Sequence, residues 1–145
     1  MLEQAATMFD GMQRMMKRLK KASYETNMKE FRKKNQEFLK EMTDYVEGRE
    51  DKETAAGEIA EVFVERIKDA FERKGKIKGT TQTDLNFFMI YYVFPAILLT
   101  EHEDARTVAD ALCESWGAGF KNSKIGYTDY GTLYKSFREK IFGIF

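Results

Sequence analysis

The chain has 145 residues, of which 43% are hydrophobic and 33% charged, and its 24 basic side chains balance 24 acidic ones. This composition is typical of one soluble globular domain, and the presence of one proline and ten glycines favours long helices over a turn-rich β fold. The single cysteine, Cys113, excludes an intramolecular disulfide and a cysteine-rich metal site.

The first predicted helix runs from Leu2 to about Lys21. Its apolar residues recur at alternating spacings of three and four, which is the pattern of a coiled-coil seam. They are Leu2, Ala5, Phe9, Met12, Met16 and Leu19. Gly11 weakens such a helix by about 1 kcal/mol relative to alanine. The seam predicts a helical partner, which is either another part of the chain or a second copy of it.

The seam slips at Ser23 to Asn27, where we predict a turn or an interruption between the first two helices. A second helix then follows a new register from Tyr24 to Val46. Asn35 lies on a seam position of this helix. A lone asparagine there either fixes register and partner number or lies at a wet edge, and both alternatives stay open.

The charge is unevenly distributed along the first half of the chain. Residues 14–40 carry ten basic and three acidic side chains, whereas residues 41–72 carry eleven acidic and four basic ones. Two neighbouring helices with complementary faces would explain this pattern. The alternative is a basic surface for an anionic partner such as nucleic acid or an anionic membrane.

A third helix is predicted from Glu53 or Thr54 to Lys74, with Gly75 after its last turn. A loop, 76–82, follows this helix. Either Thr81 or Thr83 is then expected to cap the next helix.

Residues 85–99 form the most apolar stretch, which carries no charge and contains Pro95. Apolar side chains cover every face of the helix predicted here, so it belongs in an interior. Fifteen residues rise only about 22 Å along a helix, which is short of the ~30 Å hydrocarbon core of a membrane. We therefore expect a buried central helix, kinked because Pro95 cannot donate to the carbonyl of Tyr91.

Two further helices are predicted, one from Asp104 to about Trp116 and a last one starting at Thr128. The resulting fold class is all-α, an irregular bundle of about six helices around the proline-kinked central helix (about 85–99). We predict a single domain, 1–145. The alternative is an N-terminal helical hairpin, 1–47, packed on a body, 52–145.

His102 is the only histidine and stands among acidic neighbours. No second histidine or spaced carboxylate pair completes a metal motif with it, so the sequence predicts a solvated acidic joint. Cys113 and His102 lack the third group and the oxyanion site that a catalytic pair needs. We therefore predict no catalytic residue, no cofactor and no metal, and no enzyme.

The functional interpretation is binding, first of all to a protein partner or to a second copy of the chain. The interaction face predicted for it comprises Phe9, Met12, Met16, Leu19 and Asn35. The runner-up is a pocket for a small apolar or aromatic ligand beside the kinked helix, lined by Tyr91, Tyr92, Pro95, Trp116 and Tyr134. The third is binding of nucleic acid or an anionic surface through residues 14–40, with nucleic acid disfavoured by the zero net charge.

The start of the chain has no continuous apolar run followed by a small-residue cleavage site, so no signal peptide is expected. No transmembrane segment is expected either. Together with the single cysteine, these features favour a cytoplasmic location.

Overall fold

A computed structural model describes residues 1–9, 11–12, 21–73 and 81–120 of the chain. Within these ranges the secondary structure is helical and contains no strand, which confirms the all-α fold class. The α-helices are α1 (Lys21–Lys34), α2 (Gln36–Asp44), α3 (Lys52–Lys68), α4 (Gln82–Phe88), α5 (Phe94–Leu98) and α6 (Ala105–Gly119). A 3-10 helix spans Thr7–Phe9, and π-helical turns span Asp69–Arg73 after α3 and Met89–Val93 between α4 and α5.

The first nine residues do not form the helix that was predicted to begin at Leu2. Residues 1–9 form turns and the short 3-10 helix, and both Leu2 (φ 56°) and Gly11 (φ 75°) adopt left-handed backbone that a right-handed helix excludes. The apolar side chains are buried all the same: Leu2, Ala5, Met8, Phe9 and Met12. The apolar spacing therefore predicted burial correctly and the conformation of residues 1–9 wrongly.

The turn or interruption predicted at Ser23 to Asn27 was also wrong, because α1 runs through these residues. The break comes instead at Asn35, between α1 and α2, where the predicted continuous helix divides. Its side-chain Nδ2 donates to the carbonyl of Phe31 (2.8 Å), which also accepts from the Asn35 backbone N–H (3.0 Å). Asparagine side chains compete in this way for helix carbonyls, which makes them frequent at helix boundaries.

Side-chain caps fix the starts of α3 and α4. Asp51 accepts from the backbone N–H of Thr54 (3.0 Å), so α3 begins at Lys52, slightly earlier than predicted. Thr81 and Asp84 form a capping box at the start of α4, in which each side chain accepts from the other residue's backbone N–H. The prediction of Thr81 as an N-cap, one of two alternatives, is confirmed.

The apolar stretch, 85–99, lies in the core as predicted, and only Phe87, Tyr91 and Leu99 among its apolar residues are half-buried. It consists of most of α4, a π-helical turn, and α5. The kink at Pro95 stays a prediction, and what the structure shows next to it is the π-helical turn. No helix within the described ranges has the length and apolarity needed to cross a membrane.

Two hydrogen bonds align α1 with this central segment. The Tyr24 hydroxyl donates to the carbonyl of Tyr91 (2.6 Å), and an Arg32 Nη donates to the carbonyl of Leu99 (2.7 Å). Both pairs are 67 positions apart in the sequence, so α1 and the central segment run parallel over eight residues. The Tyr91 carbonyl is the one that Pro95 cannot serve, so Tyr24 supplies a donor where the α-helical one is missing.

Helices α3 and α6 make the most extensive helix–helix contact among the described residues. They approach closely at Gly119, where an added Cβ would lie 2.5 Å from Cγ1 of Val64. Trp116 of α6 is fully buried, and its Nε1 donates to Oδ1 of Asn86 in α4 (2.7 Å). This bond pairs two polar groups inside an otherwise apolar core.

Candidate functional site

A polar groove of about 590 Å³ lies between the first two α-helices and the joint that connects α5 to α6. This volume is in the range of small-molecule sites. We call it the α1–α2 groove, and it is lined by Lys29, Arg32, Lys33, Gln36, Leu39, Lys40, Thr43, Asp44, Thr100, Glu101 and His102. Four of these side chains are basic and two are acidic, so the wall carries excess positive charge.

The basic wall follows from the helical spacing of α1 and α2. Lys29, Arg32 and Lys33 are three and four positions apart, which places them on one helix face. Lys29 and Lys33 are exposed and have no acidic partner among the described residues. In contrast, Lys34 pairs with Glu30 at 2.9 Å and does not line the groove. The groove thus has cationic groups whose charge no described side chain neutralises.

Arg32 has a second role in this wall. One of its guanidinium nitrogens donates to the carbonyl of Leu99, at the C-terminal end of α5. Terminal helix carbonyls lack an intrahelical donor, so this bond satisfies one of them. A guanidinium has five N–H donors in a fixed planar arrangement. Arg32 therefore connects the two sides of the groove, and its guanidinium has further N–H donors that a ligand could use.

The opposite side of the groove is the joint formed by residues 99–104. Glu101 adopts a left-handed backbone (φ 61°), which is uncommon for a non-glycine residue. The Thr100 hydroxyl donates to the carbonyl of Ile97 (2.7 Å), which holds the joint against α5. This turn brings His102 back toward the C-terminal end of α2.

His102 faces two carboxylates there. Its Nε2 lies 3.8 Å from Oδ1 of Asp44 and 3.6 Å from Oε2 of Glu47. One ligand atom from each of the three residues can be chosen so that all lie within 4.8 Å of one another. The His102 side chain is only 19% exposed. The three residues therefore form a compact group of potential metal ligands, which we call the His102 cluster.

Asp104 lies behind His102 and is buried. Its Oδ1 accepts from Nζ of Lys52 (2.8 Å), and this hydrogen bond raises the pKa of the lysine. Its Oδ2 has no hydrogen-bond partner among the described residues and lies 3.8 Å from Nδ1 of His102. The backbone N–H of Asp104 donates to the same Nδ1 (3.0 Å). Because Nδ1 accepts, a neutral His102 carries its proton on Nε2.

The residues of the predicted interaction face do not come together as an exposed surface in the described part. Phe9 and Met12 are buried, and Phe9 packs on Phe88 with ring centroids 4.7 Å apart. Asn35 is half-buried at the boundary of α1 and α2, while Met16 and Leu19 lie outside the described residues. Among the described residues, Met1 is the one large hydrophobic residue that is exposed to solvent.

The residues of the predicted aromatic pocket lie in or beside the core. Tyr92, Pro95 and Trp116 are buried, and Tyr91 is half-buried. Tyr92 contacts other aromatic rings, with centroid distances of 5.4 Å to Phe88 and 5.7 Å to Phe31. Burial raises the pKa of the Tyr92 hydroxyl. Tyr134, the remaining predicted residue, lies outside the described residues.

No family model matches the chain, and searches of curated proteins and of solved structures return no match either.

Sequence reasoning missed the partners of His102. The sequence showed only its neighbours along the chain, Glu101 and Glu103. Side chains at successive positions point in different directions, so these two were not expected to share a site with it. The carboxylates that approach it belong to Asp44 and Glu47, more than fifty residues earlier. Their spacing of three was visible, because it places two acids one turn apart at the end of a helix. Nothing in the sequence connected that pair to His102.

Proposed function

We propose that the protein binds a small anionic ligand, one that carries phosphate or carboxylate groups, in the α1–α2 groove. The observation that supports this most is the pair Lys29 and Lys33, which are exposed, line the groove and have no described acidic partner. Arg32 adds a planar set of donors that suits carboxylate and phosphate oxygens. This proposal starts from the third interpretation of the sequence, which assigned binding of nucleic acid or an anionic surface to residues 14–40, and replaces the large partner with a small ligand.

The size of the groove favours a small ligand over a long polyanion. A volume of about 590 Å³ holds a compact molecule. Nucleic-acid binding would instead need a basic strip that extends well beyond one groove. Lys34, the basic side chain that follows Lys33 on α1, already pairs with Glu30 and does not extend the basic face beyond the groove.

Binding to a protein partner through the N-terminal seam has less support in the described residues. The side chains of Phe9 and Met12 face the chain's own core. We retain a cytoplasmic location as part of the proposal, because the chain has one cysteine and that cysteine is a buried free thiol.

The test is calorimetric titration of the full chain with inorganic phosphate, pyrophosphate and citrate, at low salt and at about 0.15 M salt. Lys33→Gln and Lys29→Gln should each weaken binding roughly two- to fivefold, as expected for the loss of one exposed charge contact. Lys34→Gln is the matched control, since Lys34 is the next residue along the same helix but does not line the groove.

Equal weakening by Lys33→Gln and Lys34→Gln would show that net charge, not the groove, attracts the anion. Absence of binding by all three anions at low salt would refute the proposal. Tighter binding of single-stranded RNA or DNA than of pyrophosphate would show that the basic face binds a polyanion and not a small ligand.

A further inference from the structure

We propose that His102, Asp44 and Glu47 bind a divalent transition-metal ion of the Zn²⁺ type at the end of the α1–α2 groove. The His102 Nε2 atom lies 3.8 Å and 3.6 Å from the two carboxylate oxygens. In a tetrahedral zinc site with bonds of 2.0–2.1 Å, ligand atoms lie about 3.4 Å apart. The two distances from His102 would therefore shorten by only a few tenths of an ångström on coordination, and the two carboxylate atoms, which lie within 4.8 Å of each other, would approach by up to about 1.4 Å.

The second observation is the unpartnered oxygen of Asp104. This side chain is only 5% exposed, and its Oδ2 has no hydrogen-bond partner among the described residues. Burying a carboxylate oxygen without a partner is costly. The oxygen lies 3.8 Å from Nδ1 of His102, on the side of the ring opposite the cluster. A histidine that binds a metal through one nitrogen usually donates its other N–H to a carboxylate placed in this way.

Metal binding would give that oxygen its partner. Without metal, Nδ1 accepts from the Asp104 backbone N–H and the ring proton is on Nε2. A metal ion takes the Nε2 lone pair, so the neutral ring must carry its proton on Nδ1. The hydrogen bond from the Asp104 backbone N–H to Nδ1 is then broken, and the imidazole ring and the Asp104 carboxylate have to approach by about 1 Å for Nδ1–H to donate to Oδ2, which lies 3.8 Å away. The ring exchanges one neutral tautomer for the other, and no proton is gained or lost.

The ligand set points to the class of ion. One imidazole and two carboxylates suit Zn²⁺ or Co²⁺ better than Mg²⁺, which prefers six oxygen ligands. Three protein ligands leave one tetrahedral position open. Since His102 and Asp44 also line the groove, the ion would lie beside the space where an anion would bind. The metal site does not depend on anion binding, because its three protein ligands are in place without an anion.

The experiment is titration of the metal-free full chain with Zn²⁺ in a buffer without phosphate, followed by Co²⁺ as a spectroscopic probe. We expect binding of one ion, and a Co²⁺ complex with the strong visible absorption of tetrahedral coordination. His102→Gln should weaken Zn²⁺ binding at least a hundredfold, and Glu47→Gln, at an exposed position, roughly tenfold or more. Asp104→Asn should weaken it about 10- to 100-fold, the usual effect of losing a partner of a metal-bound histidine.

Two control variants make the outcome specific. Glu103→Gln removes a neighbouring carboxylate that contacts Lys52 and is not part of the cluster, so it should leave Zn²⁺ affinity unchanged. Lys33→Gln should also leave it unchanged, which separates failure of the metal site from failure of the anion groove. Because His102 is the only histidine, nitrogen NMR of its imidazole reports the move of the proton from Nε2 to Nδ1 without ambiguity.

Three results would overturn the proposal. The first is no binding of Zn²⁺ at about 0.1 mM, a concentration well above the Kd of protein zinc sites. The second is equal affinity of the wild-type chain and His102→Gln. The third is equal weakening by Glu103→Gln and Glu47→Gln, which would indicate diffuse attraction by surface acids. If Asp104→Asn fails to fold, the His102 and Glu47 variants and the NMR measurement still decide the question.

Discussion

Replacing Gly119 with alanine tests the close approach of α3 and α6. An ideal Cβ at this position would lie 2.5 Å from Cγ1 of Val64. Carbon atoms in contact normally stay about 3.5–4.0 Å apart, so the overlap is about 1 Å. Val64 is buried and β-branched, with one strongly preferred rotamer in a helix, so it cannot rotate away without strain. Either this side chain or the α6 backbone has to move.

The expected net effect is destabilisation by about 1–2 kcal/mol. Forcing extra carbon atoms into a packed site costs about 1–3 kcal/mol. The helix preference of alanine over glycine returns up to about 1 kcal/mol, and less at the last position of a helix. Urea unfolding at 25 °C, followed by circular dichroism, measures the difference in the free energy of unfolding.

Gly57→Ala is the matched control within α3. A Cβ added there has no atom within 4 Å, so alanine should raise the free energy of unfolding by about 0.5–1 kcal/mol through helix preference alone. A double-mutant cycle adds Val64→Ala, which removes the clashing Cγ1 and should make Gly119→Ala much less costly. If Gly119→Ala stabilises the chain as Gly57→Ala does, the close approach of the two helices is wrong.

Three further outcomes are expected. Tyr24→Phe removes the hydroxyl that donates to the Tyr91 carbonyl and should lower the free energy of unfolding by about 0.5–1.5 kcal/mol in urea titration; no change would contradict a contribution of this bond. Thr81→Ala should cost about 1 kcal/mol by loss of the α4 cap, whereas Thr83→Ala, the other candidate cap, should change stability by less than about 0.5 kcal/mol. Hydrogen bonds from Thr54 lower the pKa of Asp51 in the folded state. The ionised carboxylate therefore stabilises the fold at pH values above the unfolded-state pKa of about 4. This contribution is lost as the pH falls through the lower folded-state pKa. Stability of Asp51→Asn should therefore fall less than that of the wild type between neutral pH and pH ~3, and an identical fall in both would refute the linkage.

The core of the fold was predictable because its signal is local. A stretch without charge and with apolar residues on every face has no stable place except an interior, and 85–99 is buried accordingly. The cap at Thr81 was predictable for the same reason, since its partner Asp84 lies three residues away.

The N-terminal conformation was not predictable from spacing alone. Periodic burial of Leu2, Ala5 and Phe9 arises in the structure from turns, because left-handed backbone at Leu2 and Gly11 breaks the helical path. Apolar periodicity reports which side chains meet the core, and several backbone paths satisfy the same requirement. The break at Asn35 depended on a side-chain hydrogen bond to the Phe31 carbonyl, which competes closely with helix continuation.

The groove and the His102 cluster could not be predicted from the sequence, because they depend on how segments distant in the chain are aligned. That alignment has an identifiable cause in the central segment. Pro95 removes the donor that the Tyr91 carbonyl would have in an α-helix, and α5 ends at Leu98 with the Leu99 carbonyl beside its last turn. Tyr24 and Arg32 donate to these two carbonyls and thereby fix α1 parallel to the segment.

The position of the groove follows from this alignment. Because Arg32 binds the Leu99 carbonyl, the basic face of α1 lies beside the joint that starts at Thr100. Since α2 continues from α1 after one residue, its C-terminal carboxylate, Asp44, reaches the same joint and meets His102. If this reasoning is correct, Arg32→Gln should weaken both anion binding and Zn²⁺ binding, although Arg32 is not a metal ligand. Lys33 makes no contact to the Leu99 carbonyl, so Lys33→Gln should weaken anion binding alone. If the two variants bind Zn²⁺ equally well, the alignment of α1 by Arg32 does not determine the geometry of the metal site.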